Sequence, residues 1–278
     1  RVRPAAGAPA VMTTSFRTSL VAALLLLPAA AASQAETHAG AGGKPVVVEQ
    51  SQPPSSSWWL RAAPYAWLTT VDGDMTLGGI EAPVDVSFAD TLDSLDMTAM
   101  GVVEAGYDRW GLGVDVIYAK FSDDSRLRTR LFDSVRLEQK QWQLTPRLSY
   151  RVIQTADYSM DVMAGARWTS LDLDFTLRGA RGAERTLGGG RDWWDPVVGV
   201  RGRALLGDAL FLDYSALVGG FGLSSDLLWD AFLGFGYRIT PNFAPIVGYR
   251  GLGVDYTDGG FGVDSVTHGL LLGLELKF

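Results

Sequence analysis

The last twelve residues, Thr267-His268-Gly269-Leu270-Leu271-Leu272-Gly273-Leu274-Glu275-Leu276-Lys277-Phe278, decide the fold. Read with a period of two, they place His268, Leu270, Leu272, Leu274, Leu276 and Phe278 on one face and Thr267, Gly269, Leu271, Gly273, Glu275 and Lys277 on the other. That alternation is the signature of a strand with one apolar face. It recurs upstream. Residues 227–238 set Leu227, Trp229, Ala231, Leu233, Phe235 and Tyr237 against Asp230, Gly234, Gly236 and Arg238. Residues 210–222 set Leu212, Tyr214, Ala216 and Val218 against Asp213, Ser215 and Gly219, and residues 194–204 set Trp194, Val198 and Val200 against Asp195, Gly199, Arg201 and Arg203. Past Ser57 no apolar run approaches the ~18–20 residues that a spanning helix needs. No segment is left over to cover these apolar faces as a second layer, so lipid is their expected cover.

The connections fix an orientation. Short turns at Asp108-Arg109, 154–157, Gly207-Asp208 and 240–242 alternate with longer polar stretches at 72–96, 122–134, 179–192 and 257–264, the short 224–226 being the exception. Strands are expected at 58–71, 97–109, 110–121, 134–151, 157–176, 193–206, 209–223, 226–239, 243–256 and 265–278. The expected fold is therefore all-β: a closed antiparallel transmembrane β-barrel of about ten strands, with eight as the alternative, short turns inside and long loops outside. A soluble lipocalin-like barrel is the fallback. Trp58, Trp59, Trp67, Trp110, Trp142, Trp168, Trp193, Trp194, Tyr150, Tyr158, Tyr237, Phe243 and Phe278 lie mostly near strand ends, where amphipathic rings meet the membrane interface.

Composition excludes several functions. The 278 residues carry 24 Lys+Arg against 31 Asp+Glu, for a formal net charge of −7, which argues against a nucleic-acid partner. With no Cys and two His there is no disulfide framework, thiolate zinc site or histidine-rich metal centre, and no cofactor is expected. Near the N-terminus, Arg17, the apolar run Leu20–Leu27 and Ser33-Gln34-Ala35 read as a secretory signal peptide beginning at Met12 and cut before Glu36. Residues 1–35 contain three basic and no acidic residues, so their removal takes the net charge to −10. The Gly-, Ala-, Pro- and Ser-rich stretch 36–57 reads as a flexible periplasmic leader, and 58–278 as the barrel domain.

The inward parity collects Glu104, Asp115, Asp213, Asp230 and Glu275 with Arg61, Arg147, Arg167, Arg201, Arg203 and Arg250. Unpaired charges in a narrow lumen cost several kcal/mol each, so these are expected to form an ion-pair network. Such a network either plugs the barrel or lines a narrow selective pore. In the loops, 72–74 and 255–258 gather carboxylates that could hold Ca²⁺, but turn chemistry, which favours Asp and Gly for its own reasons, is the preferred reading. Arg178, Arg181, Arg185 and Arg191 form a basic stretch able to contact lipopolysaccharide phosphates. Residues 84–95 suit a short helix capped by Asp90, folded over the barrel mouth.

The terminal strand resembles the C-terminal signature of bacterial outer-membrane β-barrels. In that family, the end of the strand, here Leu274, Leu276 and Phe278, is the signal read by the barrel-assembly machinery. The stretches 63–68 (Ala-Pro-Tyr-Ala-Trp-Leu), 84–90, 109–112 and 218–222 resemble a group of proteobacterial outer-membrane β-barrel proteins of uncharacterised function. The resemblance implies the outer membrane of a Gram-negative bacterium, contact with its lipid and lipopolysaccharide, and a monomer. It supplies no catalytic residue. Two kinds of small barrel are hydrolases, the omptin-type proteases and the lipid A deacylases. His38 falls in the leader, His268 shares the outward parity of Leu270, and Ser265 lies on the opposite face from His268. The expectation is a non-enzymatic barrel, structural or a narrow passive channel. A barrel that binds surface ligands through its loops is the alternative, and a rim hydrolase a third reading.

Overall fold

A computed structural model of the chain describes residues 58–77, 80–126, 134–178 and 184–278. The proposed signal peptide and leader lie outside the described residues. The rest is a single antiparallel sheet that closes on itself. In chain order its elements are β1 (Trp58–Leu77), β2 (Ile80–Val86), α1 (Phe88–Ser94), β3 (Leu95–Tyr107), β4 (Trp110–Arg126), β5 (Ser134–Gln154), β6 (Tyr158–Arg178), β7 (Glu184–Leu205), β8 (Leu210–Gly220), β9 (Ser225–Tyr237), β10 (Phe243–Asp258) and β11 (Phe261–Lys277). β1 pairs with β3, each strand from β3 onward pairs with the next, and β11 returns to β1 in a register running from Arg61 opposite Lys277 to Leu77 opposite Phe261. Ten strands make the closed wall. The eleventh, β2, pairs only with the outer end of β1, from Val71 opposite Val86 to Leu77 opposite Ile80.

Outward positions are apolar and exposed: Val103, Leu112, Leu148, Val162, Val198, Leu233, Phe235, Val247, Leu270, Leu272 and Leu274 form a continuous belt. No soluble monomer tolerates a band of that extent, and lipid removes its cost. Aromatic rings flank it, with Trp58 against Tyr107 and Trp110 against Tyr150 near the turns, and Tyr118 against Trp142 and Trp168 against Trp194 higher up. At the end of β11, Phe278 is largely exposed and Leu274 partly so.

Three expectations change. The long external loops are shorter than the sequence implies: β7 starts at Glu184, β4 reaches Arg126, and β10 and β11 meet at a tight turn at Gly259-Gly260. Ladder hydrogen bonding continues beyond the lipid, where water wets both faces and the apolar alternation that marks a strand fades. Residues 72–74 and 255–258 are consequently strand, not turn. Gly73 is required there, because a Cβ would sit 2.1 Å from the Asp264 carbonyl oxygen. The helix begins at Phe88, and its cap is Ser87: the Asp90 amide donates to Ser87 Oγ at 3.3 Å and Ser87 Oγ donates to Asp90 Oδ2 at 2.6 Å. Asp90 thus supplies the capped amide and holds the capping hydroxyl from the third helical position, and does not cap the helix itself. Finally, Trp59, Trp67 and Trp193 point into the lumen, not to the interface. Trp59 lies so close over Gly106 that a Cβ there would stand 2.2 Å from its ring.

Candidate functional site

The lumen holds an inner charged layer, a middle layer that crosses it and, beyond that, an outer cavity. Nearest the turns, Glu104 accepts from Arg61 Nη2 at 2.6 Å, from Arg147 Nη2 at 3.0 Å and from Arg201 Nη1. Arg201 Nε reaches Asp161 Oδ2 at 3.0 Å, and Arg151 Nε reaches Asp161 Oδ1 at 2.6 Å. Arg203 grips Asp213 with two bonds of 2.6 Å and Glu275 with bonds of 2.9 and 2.7 Å, its guanidinium lying 3.9 Å over the Phe211 ring. Glu275 also takes Arg61 Nη1 and Lys277 Nζ, each at 3.1 Å. Paired forks of this kind are the strong form of the ion pair, and they leave few lone pairs unsatisfied. Six cations face four carboxylates here, so this layer carries a positive excess.

The middle layer crosses the lumen. Arg250 binds Asp230 through Nε at 3.0 Å and Nη2 at 2.7 Å, Asp115 Oδ2 at 2.7 Å, and the Tyr65 hydroxyl at 2.7 Å. Tyr65 in turn donates its hydroxyl hydrogen bond to Asp115 Oδ1 at 2.7 Å. Arg167, 1% exposed, donates to Thr145 Oγ1 at 2.9 Å and Asp230 Oδ2 at 2.5 Å. Two guanidiniums and two carboxylates make this layer neutral. Strands β1, β4, β5, β6, β9 and β10 each contribute one residue to it. Trp67, Ile117, Leu252 and Leu271 pack beside it, and Arg250 lies 5.2 Å from the Trp67 ring centre. Alternation delivers all of these side chains inward, because each stands an even number of residues from another lumen position on its strand.

Two cavities of about 610 Å³ each lie on either side of the middle layer, and no residue lines both. The inner one is walled by the charged layer. The outer one is walled by Trp67, Met75, Met100, Phe121, Leu171, Trp193, Leu228, Leu252, Val254 and Val263 with Gln139, Gln141, Gln143, Thr69, Thr169, Thr267 and Ser265 between them. Trp193 stacks on Tyr256 at 4.1 Å, and its indole N–H donates to Asp195 Oδ2 and Ser225 Oγ. Asp195 and Ser225 are wholly buried and bonded to each other, which ties the short 221–224 turn to the wall.

All eleven charged residues expected in the lumen are there: Arg61, Glu104, Asp115, Arg147, Arg167, Arg201, Arg203, Asp213, Asp230, Arg250 and Glu275. Arg151, Asp161, Tyr65, Thr145 and Lys277 belong to the same network and were not anticipated. The parity that selects Arg147 and Arg167 reaches Arg151 and Asp161 as well. His268 lies on the outer wall, as its parity implies, with Nδ1 2.6 Å from the Tyr249 hydroxyl and Nε2 3.1 Å from Asp72 Oδ2. Among the described residues no three or more His, Asp or Glu side chains are gathered as a metal site. Most of the basic stretch 178–191 has side chains outside the described residues, and Arg191 stands 3.6 Å from Asp258.

No family model and no curated protein sequence matches this chain. Solved structures do. The outer-membrane protease OmpT of Escherichia coli aligns over 82% of this chain and 99% of its own at 13% identity and a TM-score of 0.51. The fold is that of an outer-membrane β-barrel. The translocator domain of the autotransporter NalP from Neisseria meningitidis aligns over 81% of this chain and 90% of its own, at 14% identity and a TM-score of 0.43. Neisserial surface protein A aligns over 81% and 99%, at 13% identity and 0.32. Such identities speak for architecture alone and carry no activity to this chain. The narrower resemblance to one proteobacterial group has no family model behind it.

Proposed function

We propose that this protein is a non-enzymatic integral barrel of the Gram-negative outer membrane, closed to passive diffusion by its own side chains. The middle layer carries this reading. Its members come from six strands, bond to one another across the full width of the lumen, and separate two cavities that share no wall residue. The layer is neutral and all four oxygens of Asp115 and Asp230 are bonded, Arg167 Nη1 alone having no partner among the described residues, so a permeating cation finds no vacant carboxylate, and displacing a guanidinium strands a buried one. Of the two expectations for the lumen, this favours the plug over the narrow channel. The non-enzymatic part is supported by the place of His268, which faces outward and lies on the other side of the wall from the lumenal carboxylates. Recognition of Leu274, Leu276 and Phe278 by the assembly machinery accords with their place at the accessible end of β11.

Planar-bilayer recording tests the reading. The refolded wild type is expected to pass no steady current, whereas Arg250→Ala/Arg167→Ala, which empties the middle layer of its cations, opens a measurable conductance. A steady ohmic current through the wild type would overturn the plug.

A further inference from the structure

The outer cavity is unlike the rest of the lumen. About 610 Å³ lies within the range of small-molecule sites, and its walls join aromatic and aliphatic surface to a few uncharged hydrogen-bonding groups, the composition such sites have. No Lys or Arg lines it. The charges that do line it are carboxylates at the mouth: Asp74 of β1, Asp85 of β2, and Asp90 and Asp93 of α1. Among the described residues no cation stands against Asp74, Asp85 or Asp93. The middle layer that separates this cavity from the inner one is neutral, so the charges nearest the cavity are those of its mouth, and they are negative.

The wall has an irregularity on the same side. β1 pairs with β3 only from Trp58 to Pro64 and with β2 only from Val71 to Leu77, so residues 65–70 of β1 carry no ladder toward β3. Trp67, Thr69 and Met100, which line the cavity, flank that break. Trp67 is more than nine-tenths buried, and its indole N–H has no acceptor among the described residues.

We propose that the outer half of the lumen is a binding chamber for small organic cations with an apolar or aromatic body, the body packed on Trp67 and Trp193 and the protonated amine held toward Asp85 and Asp93. This goes beyond the closed-barrel reading and does not depend on it, since the chamber would bind equally above a floor that conducts. Anionic ligands, lipopolysaccharide phosphates among them, are disfavoured in this chamber by the same carboxylates.

The test uses the full barrel in phosphatidylcholine nanodiscs and three probes of one shape: 1-naphthylmethylamine, 1-naphthalenemethanol and 1-naphthoic acid, with protein-free nanodiscs subtracted. The amine is expected to bind saturably, one per barrel, and at least ten-fold more tightly than the acid, with the alcohol between them. Asp85→Asn/Asp93→Asn, on exposed residues of β2 and α1, should weaken the amine about ten-fold and leave the alcohol unchanged. Ala119→Phe, which fills the chamber from β4, should abolish saturable binding of both, heat-resistant migration in detergent gels confirming the fold. Absence of saturable binding, equal affinity for amine and acid, or an amine affinity unmoved by both variants would overturn the assignment.

Discussion

The two halves of the lumen have the same wall, the same strands and equal cavities, yet they are finished in different chemistry. The inner half is crossed by guanidinium–carboxylate pairs in which Glu104, Asp161 and Glu275 each serve two or three cations. The outer half is lined with tryptophan, aliphatic side chains, glutamine and threonine, and has its carboxylates only at the mouth. The difference lies in what each half does with space. Arginine forks cross the lumen and stitch opposite strands together, so the inner half acts as the core of the protein. No Lys or Arg lines the outer cavity and no ion pair among the described residues crosses it, so the outer half is a container of uncharged walls.

The comparison breaks most easily at Glu104. Three arginines converge on it, and Glu104→Ala is expected to cost about 3–5 kcal/mol by leaving buried cations unpaired, read as a lower denaturant midpoint of barrels refolded in phosphatidylcholine vesicles. A loss below ~1 kcal/mol, no more than an exposed ion pair is worth, would mean that water fills the inner half and that its pairs are surface-like. Next in size is Ser225→Ala, which takes a hydroxyl from the wholly buried Asp195–Trp193 knot; about 1–3 kcal/mol is expected, with a change in Trp193 fluorescence. Smaller again is His268→Ala on the outer wall, where the contacts with Asp72 and Tyr249 are half exposed; the same unfolding assay should register ~0.2–1 kcal/mol. Smallest of all should be Gln141→Leu in the outer chamber, within about 0.5 kcal/mol of wild type. If Gln141→Leu cost as much as Glu104→Ala, the outer half too would be core.

How much of this was legible in the sequence follows from which faces differ in polarity. Within the lipid, one face of each strand must be apolar, and that contrast located all eleven inward charges and set His268 outside. Above the lipid the contrast disappears, which hid β2, the first nine residues of β7 and the strand character of 72–74. Ring side chains misled for another reason. Trp67 and Trp193 obey the inward parity, but an aromatic near a strand end reads as interfacial until its neighbours are known. Tyr65 and Thr145 were invisible as members of the middle layer because their roles come from partners on other strands, Asp115 and Arg167. Ser87 as the helix cap was obscured by Asp90, which is itself a good capping residue and sits three positions later.

The middle layer also bears on how the barrel comes together. Arg250 meets Asp115 across 135 residues of chain and Tyr65 across 185. No hairpin and no partly inserted run of neighbouring strands brings those groups together. These long-range contacts form only when β11 has zipped onto β1, although the β9–β10 hairpin already brings Arg250 to Asp230. Interactions formed after the rate-limiting step leave the folding rate nearly unchanged and slow unfolding instead. The layer is then a latch that engages last: it takes no part in guiding insertion, and once engaged it makes the inserted barrel slow to leave its native state.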